Sequence, residues 1–508
     1  MIYLCNACRS LQELQPATLS LLSDCWAAVC AGCPLQPLLL AACPQFSPWL
    51  DLLARPGWLE GEVWRGRECA ARLLGCLAGY VATPLPGDPG DPLQLLVGRV
   101  LGPQLEQAAP VTAQLATSLT VLHWLKSASV PPPGLENSFL PSTLLSSLTR
   151  SPPQDEDPEL ELLTRAATAA ALAHCGPDSL PAKLNPVIRP LMEAVKVEDG
   201  EGAGQLGRVA REVQQLGAGA LARVVAACLA RPPPQPTDKL LTNLCAFVCS
   251  NPGRCPPVTL SQLTGEESEQ VQSERGILSL IYSERGADWE GEAGVGAALV
   301  LTCLAREHGP ELPSQLARLW ELATQLEGEP QQAVGSLAVL AVLCPALHPV
   351  LHPRLTALLP LILGLACHGL TAVRYGAGAG LAVLAATLPG QVLEGVVDTL
   401  LPALQPARPL PCRQGAVEAV HLLADRLQLD IVPYIVLLLV PVLGAMSDPD
   451  RQVRLLATNT FAGLVRLLPL DGAGAGELPP ALQNKKAAES MFLAQLLEPG
   501  TMQLQCTV

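Results

Sequence analysis

Three segments of this chain fall into one register: "VRYGAGAGLAVLAATL" (373–388), "CRQGAVEAVHLLADRL" (412–427) and "VRLLATNTFAGLVRLL" (453–468). They begin 39 and 41 residues apart. At offsets 0, 4, 8, 11 and 15 the first carries Val373, Ala377, Leu381, Leu384 and Leu388. The second carries Cys412, Ala416, Val420, Leu423 and Leu427, and the third Val453, Ala457, Phe461, Leu464 and Leu468. These offsets trace one face of an α-helix, and their return about every forty residues predicts stacked two-helix units, because a single unit cannot bury its own apolar face.

Each of these helices follows another apolar helix, at 354–366, 392–405 and 430–446, with a proline in its latter half: Pro360, Pro402 and Pro441. A proline there is expected to kink the first helix, and the turn "SDPD" at 447–450 to cap the second. The pattern, including the Val-Arg opening of the second helix, resembles the HEAT repeat. The fold class expected is all-α, a superhelical α-solenoid of HEAT-like helix pairs with proline-rich loops. Arg374, Arg413 and Arg454 recur one position after the first apolar residue, where a structural ladder to turn acids such as Asp448 or Asp450 is expected.

The stretches Ile431 to Met446 and 355–373 are uncharged and raise the question of a membrane. The first is short of the roughly 20 residues a span needs, but the second is not. A membrane bundle has no need of an arginine at a fixed helical offset, so the reading is helices made apolar by burial between repeats. Aromatic residues are 3% of the chain against 49% hydrophobic, which makes Leu, Ala and Val the core and favours helices over sheets. A net charge of −14 disfavours nucleic acid and favours a basic partner.

No secretory leader is visible in "MIYLCNACRSLQELQ", and most of the 18 cysteines sit in Ala/Leu-rich segments, which reads as free thiols in a reducing compartment. Cys5, Cys8, Cys30 and Cys33 have the paired spacing of a structural zinc site. The intervening "LQELQPATLSLLSDCWAAV" looks like a packed helix, so the helical core is preferred and zinc is the weaker alternative.

Upstream, helices are expected at 17–33, 66–82, 112–127, 158–175 and 207–230, separated by proline-rich connections at 130–138, 151–159, 231–238 and 251–270. The organisation expected is an irregular helical array over 1–230, a linker and long loop over 231–290, regular repeats over 291–470 and a tail over 471–508 with one possible helix at 484–498.

No catalytic, cofactor-binding or metal site is assigned. There is no phosphate loop and no acidic magnesium motif. The glycines at 376, 378 and 380 lie inside a helix and are read as close-packing positions, while His348 and His352 lack an acidic partner and are read as turn residues.

Several blocks go further than a generic repeat. "RECAARLLGCLAG" (67–79), "LPAKLNPVIRPLMEAVKVED" (180–199), "DKLLTNLCAFVCSNP" (238–252), "RGILSLIY" (275–282), "RQGAVEAV" (413–420), "LDIVPYIVLLLVPVLGAMSD" (429–448), "VRLLATNTFAGLVRLLPL" (453–470) and "NKKAAESMFLAQLLEPG" (484–500) resemble, in order, the central HEAT region of the Mot family. These are TATA-binding-protein-associated Swi/Snf-type ATPases, subunits of B-TFIID. The resemblance implies a nuclear transcription regulator whose HEAT array grips the TATA-binding protein and whose C-terminal motor uses ATP and magnesium to pull it from promoter DNA. The family's first repeats, its motor and its DNA-covering latch find no counterpart here, so a partial gene model is expected. The function expected is therefore a monomeric protein-binding scaffold without its own cofactor or membrane contact, touching promoter DNA only indirectly. A freestanding HEAT carrier or adaptor of the nuclear-transport kind is the alternative, and an ATPase within these residues has no motif to support it.

Overall fold

A computed structural model describes residues 61–82, 92–106, 109–128, 138–150, 157–197, 209–229, 237–249 and 292–468, with isolated positions between. Among the described residues every regular element is helical. The helices pair as HEAT-like units, and the chain divides into two compact units, Met1–Asn251 with Asp288–Gln315, and Pro252–Ala287 with Leu316–Val508.

In the first unit the long second helices are α1 (Gly61–Val81), α3 (Val111–Ser127), α5 (Pro158–His174), α7 (Ala210–Leu229) and α9 (Glu292–His308). Each packs on the next in that order. Shorter first helices run between them: α2, from Pro92–Leu96 through Val97–Leu101 to Gly102–Leu105, then α4 (Leu140–Thr149), α6 (Asn185–Val195) and α8 (Thr237–Cys249). The core is what the composition dictates. Leu115, Leu119, Leu122, Trp124, Leu163, Leu172 and Leu221 are buried, and the alanines of α5 let its neighbours approach closely.

In the second unit α10 (Ala317–Thr324), α12 (His352–Leu365), α14 (Pro389–Gly395 continuing through Val396–Leu400 to Leu401–Ala403) and α16 (Ile435–Ala445) are first helices. The second helices are α11 (Pro330–Leu343), α13 (Thr371–Thr387), α15 (Leu410–Leu427) and α17 (Arg451–Arg466), stacked in that order. Most of the residues at the recurring offsets are buried, while Cys412, Phe461 and Leu468 are half-buried.

Two findings refine the proline reading. In α14 the strain is absorbed by a π-helical turn: Leu401 N–H donates to Val396 O, and Pro402 follows. In α2 Gly102 N–H likewise donates to Val97 O ahead of Pro103. A proline ring in a straight α-helix collides with the carbonyl four residues back, and the wider turn moves that carbonyl away. Pro360 and Pro441 instead sit inside the α-helices α12 and α16.

The organisation differs from the expected one at two places. Helix α8 lies within the stretch read as linker, where the flanking "RPPPQP" masks a sound helical pattern. Helix α9, read as the start of the regular repeats, packs on α7 and α8 and so belongs to the first unit. The tail at 471–508, the helix expected at 17–33 and the rest of the loop at 251–290 lie outside the described residues.

The apolar stretch at 431–446 is only half enclosed. Ile435, Leu438, Leu439 and Val442 are buried, but Leu437 and Val440 are 53% and 60% exposed. The helical run Leu410–Ala445 is long and apolar enough to cross a membrane by length and composition. It is not one straight helix. Gln428, whose φ is +48°, ends α15, and a 3-10 segment leads into α16. Positive φ is costly for a residue with a Cβ, so this turn is fixed by the packing on either side.

Candidate partner-binding surface

Each ladder arginine sits in the first turn of a second helix, beside the carbonyls that end the preceding turn. Arg374 Nη1 donates to His368 O (2.9 Å) and Gly369 O (2.8 Å), and its Nη2 to Thr371 Oγ1 (2.9 Å) and Gln414 Oε1 of the next second helix (3.1 Å). Gln414 Nε2 in turn donates to Gln452 Oε1 (3.0 Å), so polar side chains link α13, α15 and α17. Arg413 Nη1 donates to Arg408 O (2.6 Å), its Nη2 to Asp448 Oδ1 (3.2 Å), and its Nε lies 2.8 Å from Asp448 Oδ2. Arg454 Nη1 donates to Asp448 O (2.7 Å) and Pro449 O (2.9 Å). Asp450 Oδ1 accepts from Val453 N–H (3.0 Å) and caps α17, while Asp448 Oδ1 accepts from Asp450 N–H (2.8 Å). A cation at carbonyls that have no helical partner satisfies them and is held by their partial charge.

The same device runs through the first unit with other donors. Gln114 Nε2 donates to Glu106 O (3.1 Å) and Ala109 O (3.0 Å), Arg165 Nη2 to Leu148 O (3.1 Å) and Arg150 O (2.9 Å), and Gln214 Nε2 to Val197 O (2.7 Å). In α11 Ser336 Oγ plays this part toward Gln325 O (3.0 Å). Sequence reasoning missed these four. The signal is a buried Gln or Ser, or a half-buried Arg, three to seven residues into a second helix, a looser mark than Val-Arg.

Glu418, on α15, is 8% exposed, and burial pushes its carboxyl up to about 7 against the pull of the Arg374 guanidinium. An acid raised in the folded state loses stability as pH climbs from its unfolded value through its folded one, here from about 4.5 to about 7. Glu418→Gln is expected to raise stability at pH 8 by ~2 kcal/mol and to leave it unchanged at pH 4, measured as the difference in urea midpoint from wild type.

The glycines of "GAGAG" bring three second helices together. A Cβ at Gly376 or Gly380 would meet Leu337 of α11 at 3.4 and 3.3 Å, and one at Gly378 would meet Leu422 and Ala419 of α15 at 3.0 and 3.3 Å. His348 Nδ1 accepts from Val350 N–H (3.3 Å) as a turn cap, and His352 opens α12. Cys5, Cys8, Cys30 and Cys33 lie outside the described residues. Among the described residues no group of three or more His, Cys, Asp and Glu is placed to hold a metal ion.

The accessible chemistry of the first unit is a row of ionisable groups along its second helices. Glu68 Oε1 of α1 lies 3.9 Å from His123 Nε2 of α3, and Arg223 of α7 pairs with Glu307 of α9. Lys126 is exposed, and no ion pair holds it among the described residues. It feels Glu68 and Arg72 of α1 and Cys303 of α9, while His174 of α5 feels Lys126, Arg223 and Glu307. Groups from all these helices lie within electrostatic reach of one another, and Arg72, Lys126 and Arg223 among them are exposed. Burial pushes the Glu68 carboxyl up, and pushes His123 to about 3 and His174 to about 4, so both imidazoles are neutral at physiological pH. A stacked row of second helices carrying mixed charge offers a macromolecular partner donors, acceptors and both signs of charge along an extended track.

Residues 154–322 match a family model described as a domain of unknown function, DUF3535. Among curated proteins, the chain is 30% identical over 375 residues to the TATA-binding protein-associated factor BTAF1 of Arabidopsis thaliana, covering 67% of this chain and 17% of that one. It is 31% identical over 410 residues to TATA-binding protein-associated factor 172 of Homo sapiens, covering 66% and 22%. It is 28% identical over 342 residues to TATA-binding protein-associated factor MOT1 of Saccharomyces cerevisiae, covering 64% and 18%. The matched part thus spans about a fifth of the length of these relatives. Among solved structures, the crystal structure of Kap121p bound to Pho4p aligns at a TM-score of 0.41 with 14% identity, over 92% of this chain and 41% of that one.

Proposed function

The chain belongs to the family of the TATA-binding-protein-associated factors, and from that premise we propose that it is a HEAT-repeat scaffold region that binds the TATA-binding protein. The observation that carries this is the match to relatives of that one name over two thirds of the chain, in a protein built of the stacked helix pairs that serve as binding arrays. The partner docks along the mixed-charge row of Glu68, Arg72, Lys126, Arg223 and Glu307. In this reading the region works in the nucleus as a monomer. Removal of the TATA-binding protein from promoter DNA is the act of the whole family protein, with ATP and magnesium held by a motor outside residues 1–508, and promoter DNA is met through that motor.

Analytical size-exclusion of the purified chain with the purified TATA-binding protein tests the partner. A co-eluting complex of one copy of each is expected. Separate elution at micromolar concentrations of both, repeated with longer chains of the same family protein, contradicts it and favours a freestanding carrier or adaptor.

A further inference from the structure

We propose that Cys367 and Cys412 are a thiol-oxidation site, closing to a disulfide when a peroxide reaches the second unit and reopening with a thiol reductant. Cys367 lies in the turn that follows α12, and Cys412 is the third residue of α15, in the next repeat. The Cys412 thiol donates to Cys367 O (3.9 Å), which sets the two cysteines side by side. Both are free and half-buried, whereas Cys175, Cys228, Cys245 and Cys344 are buried in the core. Two neighbouring free cysteines, half-buried and carried by different repeats, are what a reversible cross-link needs.

The order of events follows from the surroundings. Burial, with the neighbouring Cys412 thiol, pushes the Cys367 thiol up to about 11, so Cys367 stays protonated and serves as the resolving thiol. Cys412 Sγ attacks hydrogen peroxide: an S–O bond forms, the O–O bond breaks and one water leaves, giving the sulfenic acid. Cys367 Sγ then attacks that sulfur: the S–S bond forms, the S–O bond breaks and the hydroxide leaves with the Cys367 proton as a second water. Two thiols and one peroxide become one disulfide and two waters. The bridge closes beside Arg374, whose charge acts on Cys367, and would fasten the Arg374–Gln414 link between α13 and α15.

The full chain, reduced and then exposed to hydrogen peroxide, is capped with maleimide, digested without reductant and read by mass spectrometry. The expected product is a Cys367–Cys412 cross-linked peptide that dithiothreitol abolishes, with a melting temperature higher by about 5 °C than that of the reduced chain. In Cys367→Ser, dimedone is expected to label Cys412. The wild-type chain also carries an independent readout, since phenylarsine oxide needs two thiols within reach of one arsenic and is expected to protect both from maleimide. Both cysteines capped by maleimide after peroxide and after the arsenical, or Cys412 cross-linked to a different cysteine, would overturn the proposal.

Discussion

Valine in place of Gly415 is expected to unfold the second unit under conditions in which the wild-type protein stands, with a loss of about 3 kcal/mol or more. A Cβ at this position would lie 1.7 Å from Ala366 O and 2.9 Å from Arg374 Cδ. Neither neighbour can give way. Ala366 O belongs to the backbone that ends α12, and Arg374 is held by the carbonyls of His368 and Gly369. The helices must separate, and with them the α13–α15 contact on which the unit is stacked. Gly463→Ala serves as the contrast. That glycine sits in α17 with nothing within 4 Å of the added carbon, so alanine is expected to stabilise by about 0.5–1 kcal/mol through helix propensity alone. Urea unfolding followed by far-UV circular dichroism reads both.

Asp448→Ala is expected to cost about 3–5 kcal/mol, because it strands a buried cation. The Asp448 side chain is 1% exposed and that of Arg413 is 10% exposed, so the guanidinium cannot recover its hydration where it stands. The change also removes the acceptor of Asp450 N–H, loosening the turn that leads into the α17 cap. The double variant Arg413→Met/Asp448→Ala is expected to lose less than the sum of the single changes, since a pair removed together leaves no uncompensated charge. Additive losses would mean that the two residues act separately and that the ion pair contributes nothing of its own.

The second unit was legible because its repeats are regular. Spacings of 39 and 41 residues put Ala377, Ala416 and Ala457 in one register, and all three are buried in α13, α15 and α17. The second helices of the first unit were legible too. Expected at 66–82, 112–127, 158–175 and 207–230, they are found at Gly61–Val81, Val111–Ser127, Pro158–His174 and Ala210–Leu229. Their partners were not read as helices. "LPSTLLSSLT" is short and rich in Ser and Thr, and α2 passes through a π turn that breaks the 3.6-residue period. The polar ties between repeats were half visible. Arg374, Arg413 and Arg454 stand out by their fixed offset, but Gln114, Arg165, Gln214 and Ser336 do the same work with different donors at shifted positions. The row around Lys126 leaves no sequence mark, since its members come from helices brought side by side only by folding. Burial was over-read at one place: an uncharged helix need not be enclosed, and α16 keeps Leu437 and Val440 in solvent.

Hydrogen exchange of the chain, measured with and without saturating TATA-binding protein, puts the docking claim to its most direct test. Slower exchange in peptides spanning Glu68–Arg72, His123–Lys126 and Arg223, with the ladder turns at His368–Gly369 and Asp448–Asp450 unchanged, is the expected result. Exchange unaltered along these second helices, or slowed only on the first helices, would contradict the account.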